Sequence, residues 1–446
     1  MKASRRSFLK TSGLAAAAVA FPTVASSRGR RRTPPSERVV IASLGVGSRG
    51  NGVLGGFMRN YDDVQAVAVC DPFLSKRVNT KAAVDEYYGN KDCQAYEDYR
   101  DVLAREDIDA VLVTSCDHWH VHLAAAAVRA GKDVYVEKPL SPSLGWSWRL
   151  REIVREHSAI FQYGTQQRSD AKFRRVCELV RNGYIGELKS VDVWCPDAAD
   201  DWNDFKVKRY GMTGAQPVPE GLNYDLWTGP APARPYNEDR VRREGSFHVY
   251  DSSIGFIAGW GAHPLDIAQW GLDMDESGPV LYEGTGKLPE RGLLSTVEEW
   301  DIRCTYPGGV VMHFLSARLA KENGIDYRKR WSSHGTTFHG SEGWISVDRG
   351  GIEYSSPTLA EVQLGDDDQP LYASPAHDRN FIDCVKSREQ CVSPLETAIR
   401  SDTISHLSQL AVRTGKTIEW DPITETATDP FIHSILDRPQ RGPYRL

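Results

Sequence analysis

Between positions 38 and 164, short apolar, β-branched runs alternate with longer stretches whose apolar positions recur at helical spacing. "RVVIASL" (38–44) reads as a strand, and "GVGSRGNGVLGGFMRN" (45–60) as a glycine turn opening a helix. "VQAVAVCD" (64–71) is a second strand, "SKRVNTKAAVDEYYG" (75–89) a helix and "IDAVLVTS" (108–115) a third strand. "HLAAAAVRAG" (122–131) is helical, "DVYVEKP" (133–139) a fourth strand, "WRLREIVREH" (148–157) a helix and "AIFQYG" (159–164) a further strand. This alternation predicts an α/β domain, doubly wound around a mostly parallel sheet. Further on, "EWDIRCTYPGGVVMHFLSAR" (299–318) reads as two strands joined by a Pro-Gly-Gly turn, and "EGWISVDRGGIEY" (342–354) as another hairpin.

A chain of 446 residues exceeds one core. The expected division is a leader and linker over 1–32, a nucleotide-binding domain over 33–163 and a second domain over 164–446. The leader rests on "SRRSFLKTSGLAAAAVAF" (4–21), two adjacent arginines before an alanine-rich apolar run, the pattern of a twin-arginine export signal. Export to the periplasm or cell envelope follows, with membrane anchoring if the leader is retained. Beyond the leader no apolar run reaches the ~20 residues of a bilayer span.

Charge argues against a nucleic-acid partner. Eight of the 54 basic residues lie in 1–32, so the remainder sets 46 basic against 60 acidic residues, a net charge near −14. The Arg28–Arg32 cluster fits a leader flank or solvated linker. Eight scattered cysteines include no C-x-x-C pair and read as buried small residues, not a disulfide framework.

Gly45, Gly47 and Gly50 form G-x-G-x-x-G between the first strand and helix, so Ser48 and Arg49 fall at the helix start. Glycines there let the backbone approach a pyrophosphate that the helix N-terminus stabilises. Asp71 ends the second strand 21 residues after Gly50, where a carboxylate bonds ribose hydroxyls and repels a ribose phosphate. NAD is therefore expected over NADP, with Arg77 moderating the preference. In "SCDHWHVH" (115–122), Ser115, His118 and His120 fit a cofactor-facing loop, and Asp117 a helix N-cap. Histidines at alternate helix positions do not converge, so no metal site is expected.

"DVYVEKPLS" places Glu137, Lys138 and Pro139 at the carboxyl end of the fourth strand. With the glycine turn upstream, this segment resembles the Gfo/Idh/MocA oxidoreductases, whose E-K-P signature sits there. "YGTQQRS" (163–169), "NYDLWTGPAPARPYN" (223–237) and the helix from His377 extend the resemblance over most of the chain. It implies a C-terminal α+β domain with a large open, mostly antiparallel sheet covering the nicotinamide. It puts Lys138 beside the nicotinamide, with Glu137, Gln166 and Gln167 near the cofactor and Arg168 toward the substrate.

In "AGWGAHPLDIAQW" (258–270) the resemblance makes His263 the second acid–base residue and Asp266 a substrate-side acid. A plainer reading makes them a helix cap and its partner. The family commonly carries aspartate four residues before this histidine; here it is Gly259. The implied activity is NAD-dependent hydride transfer on a sugar or cyclitol, in a homo-oligomer such as a dimer or tetramer. With little free NAD outside the cytoplasm, a tightly held cofactor is expected. The alternative is a redox-neutral glycosidase that oxidises, eliminates, hydrates and reduces again. A non-catalytic binding protein is favoured only by Gly259.

Overall fold

The structure is a computed structural model that describes residues 37–198, 211, 214–323 and 325–446. The expected leader and the Arg28–Arg32 cluster lie outside the described residues.

Six strands build the first sheet: β1 (Val39–Leu44), β2 (Val64–Cys70), β3 (Gln94–Tyr96), β4 (Ala110–Val113), β5 (Asp133–Val136) and β6 (Phe161–Tyr163). Their order is β3-β2-β1-β4-β5-β6, with every pair parallel. β4 and β5 are buried throughout, as parallel strands covered on both faces must be. Helices α1 (Ser48–Asn60), α2 (Leu74–Tyr88), α3 (Tyr99–Leu103), α4 (Asp117–Arg129) and α5 (Leu144–His157) connect them. β3 was not legible beforehand, because its three residues, Gln-Ala-Tyr, contain no apolar run. The strand order reverses between β1 and β4, and the crevice at their carboxyl ends is where such sheets bind ligands.

The second sheet has nine strands among the described residues: β7 (Leu188–Cys195), β8 (Leu281–Lys287), β9 (Glu299–Thr305), β10 (Val311–Ser316), β11 (Gly335–Gly340), β12 (Gly343–Asp348), β13 (Gly351–Tyr354), β14 (Ile418–Asp421) and β15 (Thr426–Ala427). Only β7 and β10 pair parallel; every other neighbour is antiparallel. β9 shows why one face is covered. Trp300, Ile302 and Cys304 point into the core, while Asp301 and Arg303 alternate outward. Against the covered face pack α6 (Ala171–Arg181) and the helices Ala262–Gly271 and Leu395–Thr414.

The cores do not divide where the sheets do. Phe381, Ile382, Cys384 and Cys391 pack among the first domain's apolar residues, as do Leu395, Ala398, Ile399 and Tyr444. The C-terminal segment therefore ties the two sheets together. All eight cysteines are free thiols, seven of them buried.

Candidate active site

β1 runs straight into the glycine turn. Gly45 has φ +93°, and a Cβ there would lie 2.5 Å from the Ser115 backbone. At Gly50 a Cβ would meet the Gly45 carbonyl at 2.2 Å, so this glycine sets how closely α1 approaches the turn. Gly47 is different. Nothing lies within 4 Å of its would-be Cβ, and as N-cap of α1 it leaves the first amides without a side-chain partner. Open space in front of free helix amides is what a pyrophosphate requires.

Asp71 lies just beyond β2 and is 5 % exposed. Its carboxylate accepts from Val46 N (3.0 Å) and Phe73 N (2.9 Å), bracing the turn from below. Burial raises its pKa, with Lys76 and the two amides opposing. Arg77 lies beside Asp71, donating to its backbone carbonyl at 3.1 Å while pairing with Glu97 at 2.9 Å, and Lys76 lines the cleft here.

At the end of β5, Glu137 accepts from Arg49 Nε (2.9 Å) and Nη2 (2.6 Å), with Gln166 Nε2 at 3.3 Å. Lys138, the next residue, donates its amine to the backbone carbonyl of Gly259 in the second domain. Withdrawal from water lowers the Lys138 pKa; Glu137 and Asp117 oppose this, while Arg49 and Arg349 reinforce it. The following segment is strapped on both sides. His120 bridges Pro139 O (2.6 Å) and Ser115 O (3.0 Å), and Asp402 accepts Leu140 N at 2.8 Å. Asp402 also accepts the Tyr163 hydroxyl at 2.9 Å, and burial pushes it up to about 7.

His263 lies in the first turn of the helix Ala262–Gly271 and is 3 % exposed. Its Nδ1 is buried without a hydrogen-bond partner. Burial first, then the charges of Lys138 and Arg349, hold its pKa well below the ordinary histidine value. The imidazole is therefore neutral at neutral pH. It does not cap the helix, whose N-cap is Gly261.

Most of the expected residues line one cleft of about 970 Å³: Gly45, Gly47, Ser48, Arg49, Gly50, Asp71, Ser115, His120, Glu137, Lys138, Gln166, Gln167 and His263. Three do not line it. Arg168 and Asp266 form a buried two-pronged pair, 2.8 Å at each contact, and Arg168 also grips Asp275. Asp266 is fully buried and partners Arg168, neither a substrate nor the helix start. His118 is also fully buried, with Nε2 2.9 Å from Trp227 O and burial holding it down to about 4. Asp117 is the first residue of α4 and not its cap; its carboxylate accepts the Ser253 hydroxyl at 2.6 Å. Among the described residues no cluster of His, Cys, Asp or Glu could hold a metal ion.

Among the cleft residues that the sequence left unassigned are Trp260 and Arg349. Trp260 follows the short helix Phe256–Gly259, and Arg349 sits on the β12–β13 turn with its guanidinium 5.2 Å from the Trp260 ring centre. Nothing in the local sequence distinguished either from an ordinary core aromatic or turn residue.

The donor set fits a dinucleotide: the open turn at Gly47, the Asp71 carboxylate, and Gln167, whose side-chain amide is buried with both ends unpaired. Comparison with known proteins agrees. The oxidoreductase family's NAD-binding Rossmann fold matches residues 38–165, and the same family's C-terminal alpha/beta domain matches 169–333. The chain belongs to the Gfo/Idh/MocA oxidoreductase family, and its cofactor is NAD. A twin-arginine translocation signal sequence matches residues 2–22, and among the described residues no helix is long and apolar enough to cross a membrane.

Glycosyl hydrolase family 109 protein 2 of Shewanella sp. (strain ANA-3) is 31 % identical over 206 residues, 41 % of this chain and 44 % of that protein. Inositol 2-dehydrogenase of Salmonella typhimurium is 28 % identical over 145 residues, 32 % of this chain and 42 % of that protein. The matched segments thus span less than half of these relatives. Scyllo-inositol dehydrogenase from Lactobacillus casei, solved with NAD(H) and scyllo-inositol, superposes with TM-score 0.58 at 14 % identity, covering 86 % of this chain and 99 % of that one. At that identity the likeness is one of fold.

Proposed function

We propose that this chain is an exported NAD-dependent oxidoreductase acting on a carbinol carbon of a sugar, cyclitol or sugar derivative, working in the periplasm or cell envelope with its cofactor tightly held. The reading is carried by one observation: Lys138 and His263, from different domains, line the same cleft as the glycine turn. NAD, when bound, supplies the hydride acceptor.

Oxidation of a carbinol also requires removal of the hydroxyl proton. Lys138 is the group to receive it, because burial lowers its pKa and so favours the neutral amine that can take a proton. The Gly259 carbonyl holds the amine, and the His120 and Asp402 contacts fix the backbone that carries it. Neutral His263 offers a hydrogen bond to the same hydroxyl and takes or returns a proton as the reaction reverses. Gly45, Gly47, Ser48, Arg49, Gly50 and Asp71 would hold the dinucleotide, with Glu137, Gln166 and Gln167 beside the acid–base pair.

The glycosyl hydrolase family 109 relative favours a second reading, a redox-neutral glycosidase in which the same two residues serve and no net redox change occurs. A panel of free sugars, cyclitols and chromogenic glycosides separates the two. Nicotinamide reduction without aglycone release supports the dehydrogenase. Aglycone release with no net change in the cofactor supports the glycosidase, and neither signal on any substrate would overturn the catalytic reading.

A further inference from the structure

Arg349 is a charged side chain lining the cleft, without an ion pair among the described residues. Its backbone neighbour Asp348 cannot neutralise it. That carboxylate is buried and already receives Arg328 Nη2 and Arg330 Nη2, each at 2.6 Å, and the Gly350 amide at 2.6 Å. The other carboxylates lining the cleft nearby are engaged as well. Glu137 is held by Arg49, Asp170 by Lys172 at 2.7 Å and Asp117 by Ser253. Among the described residues Arg349, an exposed residue lining the cleft, forms no ion pair; partial withdrawal from water and the charge of Arg49 lower its pKa, and the charge of Glu137 opposes this.

Its position is at the reacting end. The Trp260 ring has the Arg349 guanidinium at 5.2 Å, the Lys138 amine at 6.0 Å and the His263 ring at 6.2 Å from its centre. His263, which faces the same space, keeps Nδ1 buried and unpartnered. The Arg349 guanidinium, the Lys138 amine held by the Gly259 carbonyl, and an imidazole whose Nδ1 is unpartnered among the described residues thus gather around one indole. A neutral sugar hydroxyl would offer the guanidinium no counter-charge.

We propose that the substrate carries an anionic substituent, a carboxylate or a sulfate ester, which Arg349 receives across the face of Trp260 while Lys138 and His263 address a carbinol of the same molecule. The proposal rests on the oxidoreductase reading for where the reacting carbon lies. It adds the charge class of the substrate. A planar guanidinium matches a carboxylate or sulfate oxygen pair, and such charge-assisted bonds are about twice as strong as neutral ones.

The test is a titration of the NAD-loaded full chain, followed by calorimetry and tryptophan fluorescence. The probes are methyl β-D-glucuronide, D-galacturonate and glucose 6-sulfate, each beside its uncharged counterpart. At least one anionic probe is expected to bind roughly tenfold or more tightly than its counterpart at low salt, with the preference shrinking as salt is added. The carboxylate and sulfate arms distinguish the two anions. Arg349→Ala is expected to remove the preference without altering NAD(H) content, and Arg349→Lys to retain part of it. The proposal is overturned if no anionic probe is preferred, or if the preference survives in Arg349→Ala. Loss of NAD(H) from Arg349→Ala also overturns it, by assigning the arginine to the cofactor phosphates. Binding needs no turnover, so the two readings fail separately. An Arg349-dependent preference with no hydride transfer to any sugar rejects only the oxidoreductase; transfer to neutral sugars without the preference rejects only the anion pocket.

Discussion

The amine of Lys138 donates to the backbone carbonyl of Gly259, so the position where related enzymes commonly carry an aspartate still meets the lysine proposed for acid–base work, through its backbone. A neutral carbonyl holds the amine without adding a further carboxylate to the fields of Glu137 and Asp117, and burial still outweighs those two to keep its pKa lowered. A Cβ at Gly259 would meet only Phe256, at 3.6 Å, so a side chain fits there. Gly259→Asp is expected to favour the ammonium form and move the activity limb governed by Lys138 to higher pH by about one unit or more. Gly259→Ala, which adds bulk without charge, leaves the limb in place. A pH–rate profile of both variants checks this, and coincident limbs would reject the placement of the carboxylate beside the amine.

Lys138→Met is expected to cut turnover on the order of 10²–10⁴-fold. Glu137, Arg49 and the glycine turn remain, so NAD(H) content per chain stays near that of the unmodified protein. Single-turnover kinetics with nucleotide quantified in the same samples provide the measurement. Near-normal turnover would remove Lys138 from the acid–base role.

These contacts also show what could be read in advance. The glycine turn and the E-K-P segment were legible because their constraints are local: a backbone approach within α1 and a strand end facing a crevice. Arg168 and Asp266 were legible as chemistry but not as placement. Only the fold places Asp275 where it completes a buried three-membered ion cluster and keeps the pair out of the cleft. Arg349 was illegible for the opposite reason. A turn arginine carries no local mark of its neighbours until β12 and β13 bring it, still exposed, against Trp260, a residue far away in sequence. The helix His377–Ser387 was expected, yet nothing in its apolar spacing told that Phe381 and Ile382 would pack into the first domain's core.

Asp71 should set cofactor choice. Its buried carboxylate would face a ribose 2′-phosphate directly, so cofactor-free protein is expected to bind NAD more tightly than NADP. Asp71→Ser should narrow that difference. Its thermal midpoint should also fall, because the Val46 and Phe73 amides lose their shared acceptor. Titration with both nucleotides decides the point, and tighter binding of NADP to the unmodified chain would refute the role.

Buried histidines should make the fold acid-sensitive. Burial holds His406 down to about 3, and His122 and His377 down to about 4. Each folded-state value lies below that of the unfolded chain, so on acidification the unfolded chain takes up the proton first. Their contribution is complete above about pH 6.5 and is lost as pH falls from there toward the folded values. His406 Nε2 lies 3.0 Å from Ser141 O, and the glutamine amide nitrogen is the uncharged donor closest in reach to that ring atom. Between pH 6.5 and 5, His406→Gln is expected to lose about 1–2 kcal/mol less stability than the unmodified protein. Denaturant unfolding at both pH values measures it, and equal losses would mean that His406 titrates normally in the folded chain.

On the proposed reading, in which the chain is exported already folded around NAD, the cofactor has no cytoplasmic pool to replace it and must be retained. With an association rate on the order of 10⁶ M⁻¹s⁻¹, a nanomolar site releases its ligand at roughly 10⁻³ s⁻¹, a lifetime of about a quarter of an hour. Service over many hours then needs a dissociation constant tens of times lower, or burial that slows exit. The second domain supplies candidate cover, because Gly259, Trp260 and His263, on or between the helices Phe256–Gly259 and Ala262–Gly271, line the same cleft as Lys138. Protein recovered from the cell envelope is therefore expected to carry NAD(H) through prolonged dialysis and to turn over without added cofactor. Nucleotide released by denaturing the dialysed protein gives the stoichiometry. A preparation that emerges empty, yet works once free NAD is supplied, would show that the cofactor is acquired after export and that the cleft exchanges it freely.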